Sequence, residues 1–312
     1  MSDHNPEVTV ASEAIAEADQ AFAMYQSVRH RLPQADFPAT SQMAATMADL
    51  ADEHDVFLLD AFGVLNIGEE PIPGVAQRIA RLRSEGKQVY VVTNAAAYPA
   101  SHLLARYDRM GYDFEPHQVV SSRDTLTHAL SQRDARRWGI MASRSFDVGD
   151  LGAHCIFLGD DPAIYDAVDG FILIGSGEWS ERRQDLLATA LLRSPRPVLV
   201  GNPDLVAPLA SGLAVQPGYY AHRLADATGV EPEFFGKPFA NIYELAFERF
   251  GDRVPRERVV MVGDTLHTDV LGGAAAGVRT ALVAGYGLLA EGDPHGAIAA
   301  SGIVPDFILG RP

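Results

Sequence analysis

The chain reads as a doubly wound α/β protein, and two observations predict that fold class. Short apolar runs of strand length (VFLL from 56, QVYVV from 88, RVVMV from 258) alternate with amphipathic stretches of helical period. Such alternation builds parallel sheets. Those three runs also end in polar residues, at Asp60, Thr93 and Asp264. Ligands of open parallel sheets bind beyond the carboxyl ends of the strands, so the polar tips mark where a site is expected.

Taken in order, residues 1–50 read as a helical arm. Ala, Met and Leu recur through EAIAEADQAFAMYQSVRHRL and again through SQMAATMADLADEH, with Pro33 and Pro38 separating the two pieces. The arm is expected to pack or to mediate self-association, and it carries no chemistry. DVFLLDAF then reads as a buried strand. GVAQRIARLRSEG follows as a helix with Val75, Ile79 and Leu82 on one face and Gly86 just past its end, and QVYVVTNAA as the next strand. Late in the chain ERVVMVGDT, TDVLGGAAAG and VRTALVAGYG repeat the pattern as strand, small-residue helix and strand. Between them, HCIFLGDD, AVDGFILIGSGEW and RPVLVGNPDLVAP form a second alternating stretch. The expected division is an arm at 1–50, a core from 51–121 and 232–312, and an inserted α/β unit at 122–231.

Of the 312 residues, 47% are apolar and 21% charged, enough to bury a sizeable core. Twenty-five Lys and Arg face 41 Asp and Glu, and the formal charge of -16 repels phosphate backbones and anionic membranes. Neither a nucleic acid nor a membrane is expected as a partner; a second copy of the chain, meeting through the arm or the insert, is admitted. Cys155 is the only cysteine, so an intramolecular disulfide is excluded. The start lacks the basic and apolar regions of a secretory signal, and no run reaches the ~18 apolar residues of a membrane span. A cytoplasmic enzyme is expected.

Asp60, Thr93 with Asn94, Lys237, Asp264 and Asp269 form an ordered set. A carboxylate can attack phosphorus if a divalent cation offsets the charge repulsion while a lysine and a hydroxyl hold the phosphoryl oxygens. Mg²⁺ suits this, because it takes a few carboxylates plus waters and a substrate phosphate. Singly, each residue has an ordinary reading as a cap, a turn former or a solvated side chain; their joint order at strand ends is what is specific. GSGEW from 175 reads mainly as a strand-ending turn. Tyr219, Tyr220 and His222, in PGYYAHRLADATG, are candidate substrate contacts, and His222 and His267 are candidate proton donors.

In DAFGVLNIGEEPIPG, VVTNAA, GNPD, GKP and VGDTLHTDVLGGAAAGV the chain resembles the haloacid dehalogenase superfamily, in the subclass with a large α/β cap inserted between the second and third motifs. The resemblance covers roughly residues 50 to 290 and leaves the arm outside it. It implies a phosphatase acting on a small phosphorylated metabolite through an aspartyl phosphate. Asp60 would be nucleophile and metal ligand, Thr93 and the Asn94 backbone would bind the phosphoryl group, and Lys237 would balance charge. Asp264 would bind the metal and Asp269 would orient its waters, with the backbone carbonyl of Phe62 as a further ligand. The side chain of Phe62 departs from the pattern, because the phosphatases of the family carry an Asp there as general acid and base. Two alternatives follow from that departure: a metal-independent 2-haloacid dehalogenase, since those enzymes also place an aromatic here, and a phosphate-binding regulatory protein with little catalysis.

Overall fold

Strand Val56–Leu59 shows how the core is built. All four residues are buried, with Phe57 and Leu59 in one apolar cluster and Val56 and Leu58 in another, as the two-residue period of a strand requires. Val75, Ile79 and Leu82 of helix Val75–Ser84 close the first face as expected, and Ile242, Tyr243, Ala246 and Phe247 of helix Ala240–Phe250 close the second. This computed structural model describes residues 18–209, 212–251, 253–290 and 292–312.

The strand belongs to a seven-stranded parallel sheet in the spatial order Gln42–Ala44, Phe307–Leu309, Arg279–Val283, Val259–Gly263, Val56–Leu59, Gln88–Thr93, Val119–Ser121. From Val56–Leu59 the chain steps to Gln88–Thr93 on one side, then returns much later to Val259–Gly263 on the other. That reversal opens a crevice beyond the carboxyl ends of the strands. A second, five-stranded parallel sheet is formed in between, in the order Glu233–Phe234, Val198–Val200, Gly170–Leu173, Arg137–Met141, His154–Phe157. Trp138 and Trp179 are buried in the apolar clusters of this second sheet. An antiparallel pair, Val206–Leu209 with Gly212–Val215, forms a separate two-stranded sheet.

The fold is the doubly wound α/β arrangement the sequence predicts, but the arm is only partly helical. Helix Ala18–Ser27 is present, and residues 1–17 of the expected arm lie outside the described residues. The second piece, expected to be helical, supplies edge strand Gln42–Ala44 and one 3₁₀ turn, Met47–Leu50. An open sheet edge offers backbone partners that a short isolated helix cannot match: the strand runs parallel to Phe307–Leu309, and the Gln42 N–H donates to the Asp306 carbonyl at 2.8 Å. Among the described residues no helix is long and apolar enough to cross a membrane.

Candidate active site

Asp60 follows strand Val56–Leu59 directly, its own N–H donating to the Val262 carbonyl of the neighbouring strand at 2.9 Å. The carboxylate is therefore carried by two paired strands. The Ala61 N–H donates to Oδ1 at 2.7 Å, and Lys237 Nζ lies 2.6 Å from the same oxygen. Lys237 also donates to Asp269 Oδ1 at 2.7 Å, so one ammonium is shared by two carboxylates. Burial alone would lower the pKa of this lysine, but Asp269 and Asp60 outweigh it and hold the group above its usual range.

The Lys237 backbone is clamped by one side chain. Asn94, immediately past strand Gln88–Thr93, accepts from the Lys237 N–H at 2.7 Å through Oδ1 and donates to its carbonyl at 2.9 Å through Nδ2. Nδ2 also donates to Asp204 Oδ1 at 2.8 Å. Asp204, in a carboxylate raised to about 6 by burial against the opposing Asn94 hydrogen bond, thus ties the second sheet to the lysine loop.

Asp264 directly follows strand Val259–Gly263, and Asp269 lies within the π-helical turn Leu266–Val270. Asp264 accepts from the Leu288 N–H at 2.8 Å and from the Thr265 hydroxyl at 3.0 Å. Asp269 accepts from the Thr265 N–H at 3.0 Å through Oδ2, the oxygen not facing Lys237. Two glycines make room for Asp264: a Cβ on Gly63 or Gly287 would sit 2.6 or 1.9 Å from its atoms, and both glycines have positive φ (73° and 77°). A substituted side chain at either would displace the carboxylate.

Each of Asp60, Asp264 and Asp269 offers an oxygen, all within 4.8 Å of one another. Three carboxylates facing one ammonium leave surplus negative charge in a buried space. Burial first, and then the neighbouring carboxylates, raise Asp60 well above its usual range and push Asp264 up to about 7. A hard divalent cation is the group such a donor set fits.

The other expected residues are placed as follows. Thr93 is buried, and its hydroxyl accepts from the Ala95 N–H at 3.3 Å. Phe62 is half-buried, joins none of the apolar clusters among the described residues, and its backbone bridges to Asn66. The two histidines are both buried and packed against aromatic rings. His222 stacks on Phe234 with ring centroids 4.9 Å apart, near Arg31 and Asp226; His267 is packed beneath Phe22, Tyr25 and Gln26 of helix Ala18–Ser27. Burial pushes both imidazoles down to about 4, which disfavours their charged form near pH 7. Tyr219 packs edge-on to Tyr220 under the Arg223 guanidinium. The 175–179 loop is a turn tied to other segments: the Ser176 hydroxyl donates to the Val215 carbonyl, and the Ser143 hydroxyl donates to Glu178.

Sequence reasoning assigned no role to Asp204, although GNPD was a visible signal, and none to Tyr25, for which no signal existed.

Residues 57–149 match the family described as haloacid dehalogenase-like hydrolase, and residues 234–307 match a second family of haloacid dehalogenase-like hydrolases. A dihydroxyacetone phosphatase of Corynebacterium glutamicum is 28% identical over 227 residues, 73% of this chain and 80% of that one. Among solved structures, a possible sugar phosphatase from Cytophaga hutchinsonii superposes with a TM-score of 0.76 at 24% identity, covering 87% of this chain and 98% of its own. A glycerol phosphate phosphatase from Mycobacterium tuberculosis, in complex with calcium, gives 0.62 at 25% identity, covering 76% and 68%. Sequence matches over residues 57–149 and 234–307, and a fold shared across nearly the whole of a solved neighbour, agree on one conclusion: the chain belongs to the haloacid dehalogenase-like hydrolases.

Proposed function

We propose that the chain is a metal-dependent phosphatase that hydrolyses a small phosphorylated metabolite of the sugar-phosphate or polyol-phosphate kind. The observation that carries this reading is the shared ammonium: Lys237 Nζ lies 2.6 Å from Asp60 and 2.7 Å from Asp269, inside a cluster of three carboxylates. The names of the relatives, a dihydroxyacetone phosphatase and a glycerol phosphate phosphatase, support the substrate class. In this reading residues 122–231 are the inserted unit that selects the substrate.

Asp60, Asp264 and the Phe62 carbonyl would hold Mg²⁺, with Asp269 fixing its surroundings. When bound, the cation neutralises the approach of a phosphate dianion to a carboxylate. Both bonds to Asp60 engage Oδ1, which leaves Oδ2 as the attacking atom. A new Oδ2–P bond forms as the bond from phosphorus to the leaving oxygen breaks. Thr93, the Asn94 backbone and Lys237 hold the transferring oxygens. Phe62 has no proton to give, so the leaving oxygen departs as an anion and is protonated by water. A second water then attacks phosphorus, releases inorganic phosphate and restores Asp60, its proton passing to solvent.

The test is phosphate release from a panel of phosphorylated metabolites and aryl phosphates, with Mg²⁺ and with chelator, using Asp60→Asn as the control. Metal-dependent release that vanishes in Asp60→Asn is expected. Release that survives chelation would sink the reading, and halide release from 2-halo acids in the same plates would replace it with the dehalogenase alternative suggested by Phe62.

A further inference from the structure

Helix Ala18–Ser27 lies outside both matched family segments, yet its Tyr25 touches the site's support from two directions. Tyr25 is buried, and its hydroxyl accepts from the Leu205 N–H at 3.2 Å. Leu205 follows Asp204, the residue that holds Asn94, and Asn94 clamps the Lys237 backbone on both its N–H and its carbonyl. On its other side the Tyr25 ring stacks on His267, with centroids 5.2 Å apart and planes 14° from parallel. His267 sits two residues before Asp269, the carboxylate that receives the Lys237 ammonium at 2.7 Å. The apolar surround is continuous as well, because Ala21, Tyr25 and Val28 share one cluster with Leu205, Leu266 and Val270.

We infer that Tyr25 is a positioning residue for Lys237: it fixes the 204–205 segment through its hydroxyl and the 266–270 turn through its ring, and the two supports end at the same lysine, one at its backbone and the other at its ammonium. This rests on the reading of Lys237 as the group that holds the phosphoryl oxygens. The two contacts use different parts of one side chain, so they separate by substitution. Tyr25→Phe keeps the ring and the stack but leaves the Leu205 N–H without its acceptor, which loosens Asp204 and Asn94. Tyr25→Leu removes the ring too, which also frees the turn bearing Asp269.

The experiment uses the full chain and measures Mn²⁺ affinity, inorganic phosphate affinity in the presence of Mn²⁺, the kcat and KM of the best substrate, and the melting temperature. For Tyr25→Phe, phosphate affinity is expected to weaken about tenfold, the scale of a buried donor left unpaired. KM should rise in step, while Mn²⁺ affinity stays at the parent's value. For Tyr25→Leu, Mn²⁺ affinity should fall as well. A role confined to stability would lower the melting temperature of both variants without moving phosphate affinity. Parent-like phosphate affinity in Tyr25→Phe overturns the inference alone. A parent protein that binds neither Mn²⁺ nor phosphate sinks the phosphatase reading and this inference with it.

Discussion

Lys237 and His267 lie on two sides of the Leu266–Val270 turn, each with 2% of its surface exposed, and they have opposite electrical fates. Lys237 meets the carboxylates of Asp60 and Asp269 and is held charged. His267 meets the rings of Phe22 and Tyr25, and burial pushes it down to about 4, so it is neutral. Equal burial produces a cation in one place and a neutral ring in the other. The cost of burying charge is common to both sites, and the partners decide which form survives it. Chemistry is expected on the side of the turn where charges converge, and packing on the side where rings do.

The strongest way to break this comparison is Asp60→Asn, which should cut turnover by about 10⁴- to 10⁶-fold in a phosphate-release assay, the scale for loss of a group in a catalytic unit. Turnover near the parent's would remove Asp60 from that role. Lys237→Ala should weaken phosphate binding and, by leaving two buried carboxylates against each other, destabilise the fold by roughly 3–5 kcal/mol in denaturant titrations. An unchanged unfolding midpoint would mean that the carboxylates do not need the ammonium.

Phe62 sharpens the comparison through kinetics. With no acid at this position and both histidines neutral, log rate should fall steeply as leaving-group pKa rises across aryl and alkyl phosphates. Phe62→Asp should flatten that slope and raise alkyl-phosphate turnover by up to about 10²-fold. A shallow slope in the parent would reveal a proton donor elsewhere.

A smaller effect concerns pH and metal. In the folded metal-free protein Asp264 keeps a proton up to about pH 7, whereas in the unfolded chain an Asp has lost it above about pH 4. The folded pKa is the higher one, so this group's contribution to stability is present at low pH and is lost as pH rises towards 7. A divalent cation replaces that proton. The gain in melting temperature on adding Mg²⁺ should therefore be larger at about pH 8 than at about pH 5.5. Equal gains would place the cation away from these carboxylates. The smallest effect is expected of His222→Gln, which should leave the leaving-group slope as it was, since no proton-transfer factor of about 10² is lost with it; a steeper slope would restore His222 as the acid.

The core of the site was legible because its residues sit at strand ends, where sequence pattern and geometry coincide. Asp60, Thr93 and Asp264 could be placed from apolar runs alone, and the structure gathers Asp60 and Asp264 with Asp269. What stayed hidden depends on contacts between distant segments. Gln42–Ala44 has no strand signal of its own and becomes a strand only because Phe307–Leu309 presents an open edge. His222 and His267 stood beside plausible motifs, and only the packing of Phe234 on one and of Phe22 and Tyr25 on the other shows why they are neutral. Tyr25 lies 180 residues from Leu205, a separation no local pattern spans.

The placing of the two tryptophans has a spectroscopic consequence. Trp138 and Trp179 are the chain's only indoles, and both are buried against the second sheet. Emission excited at the red edge of protein absorption therefore watches that sheet alone, while far-ultraviolet circular dichroism watches the whole backbone. If residues 122–231 melt as a separate unit, the two signals will part during heating, and a chain with no added label will display the loosening of its five-stranded sheet apart from that of its seven-stranded one.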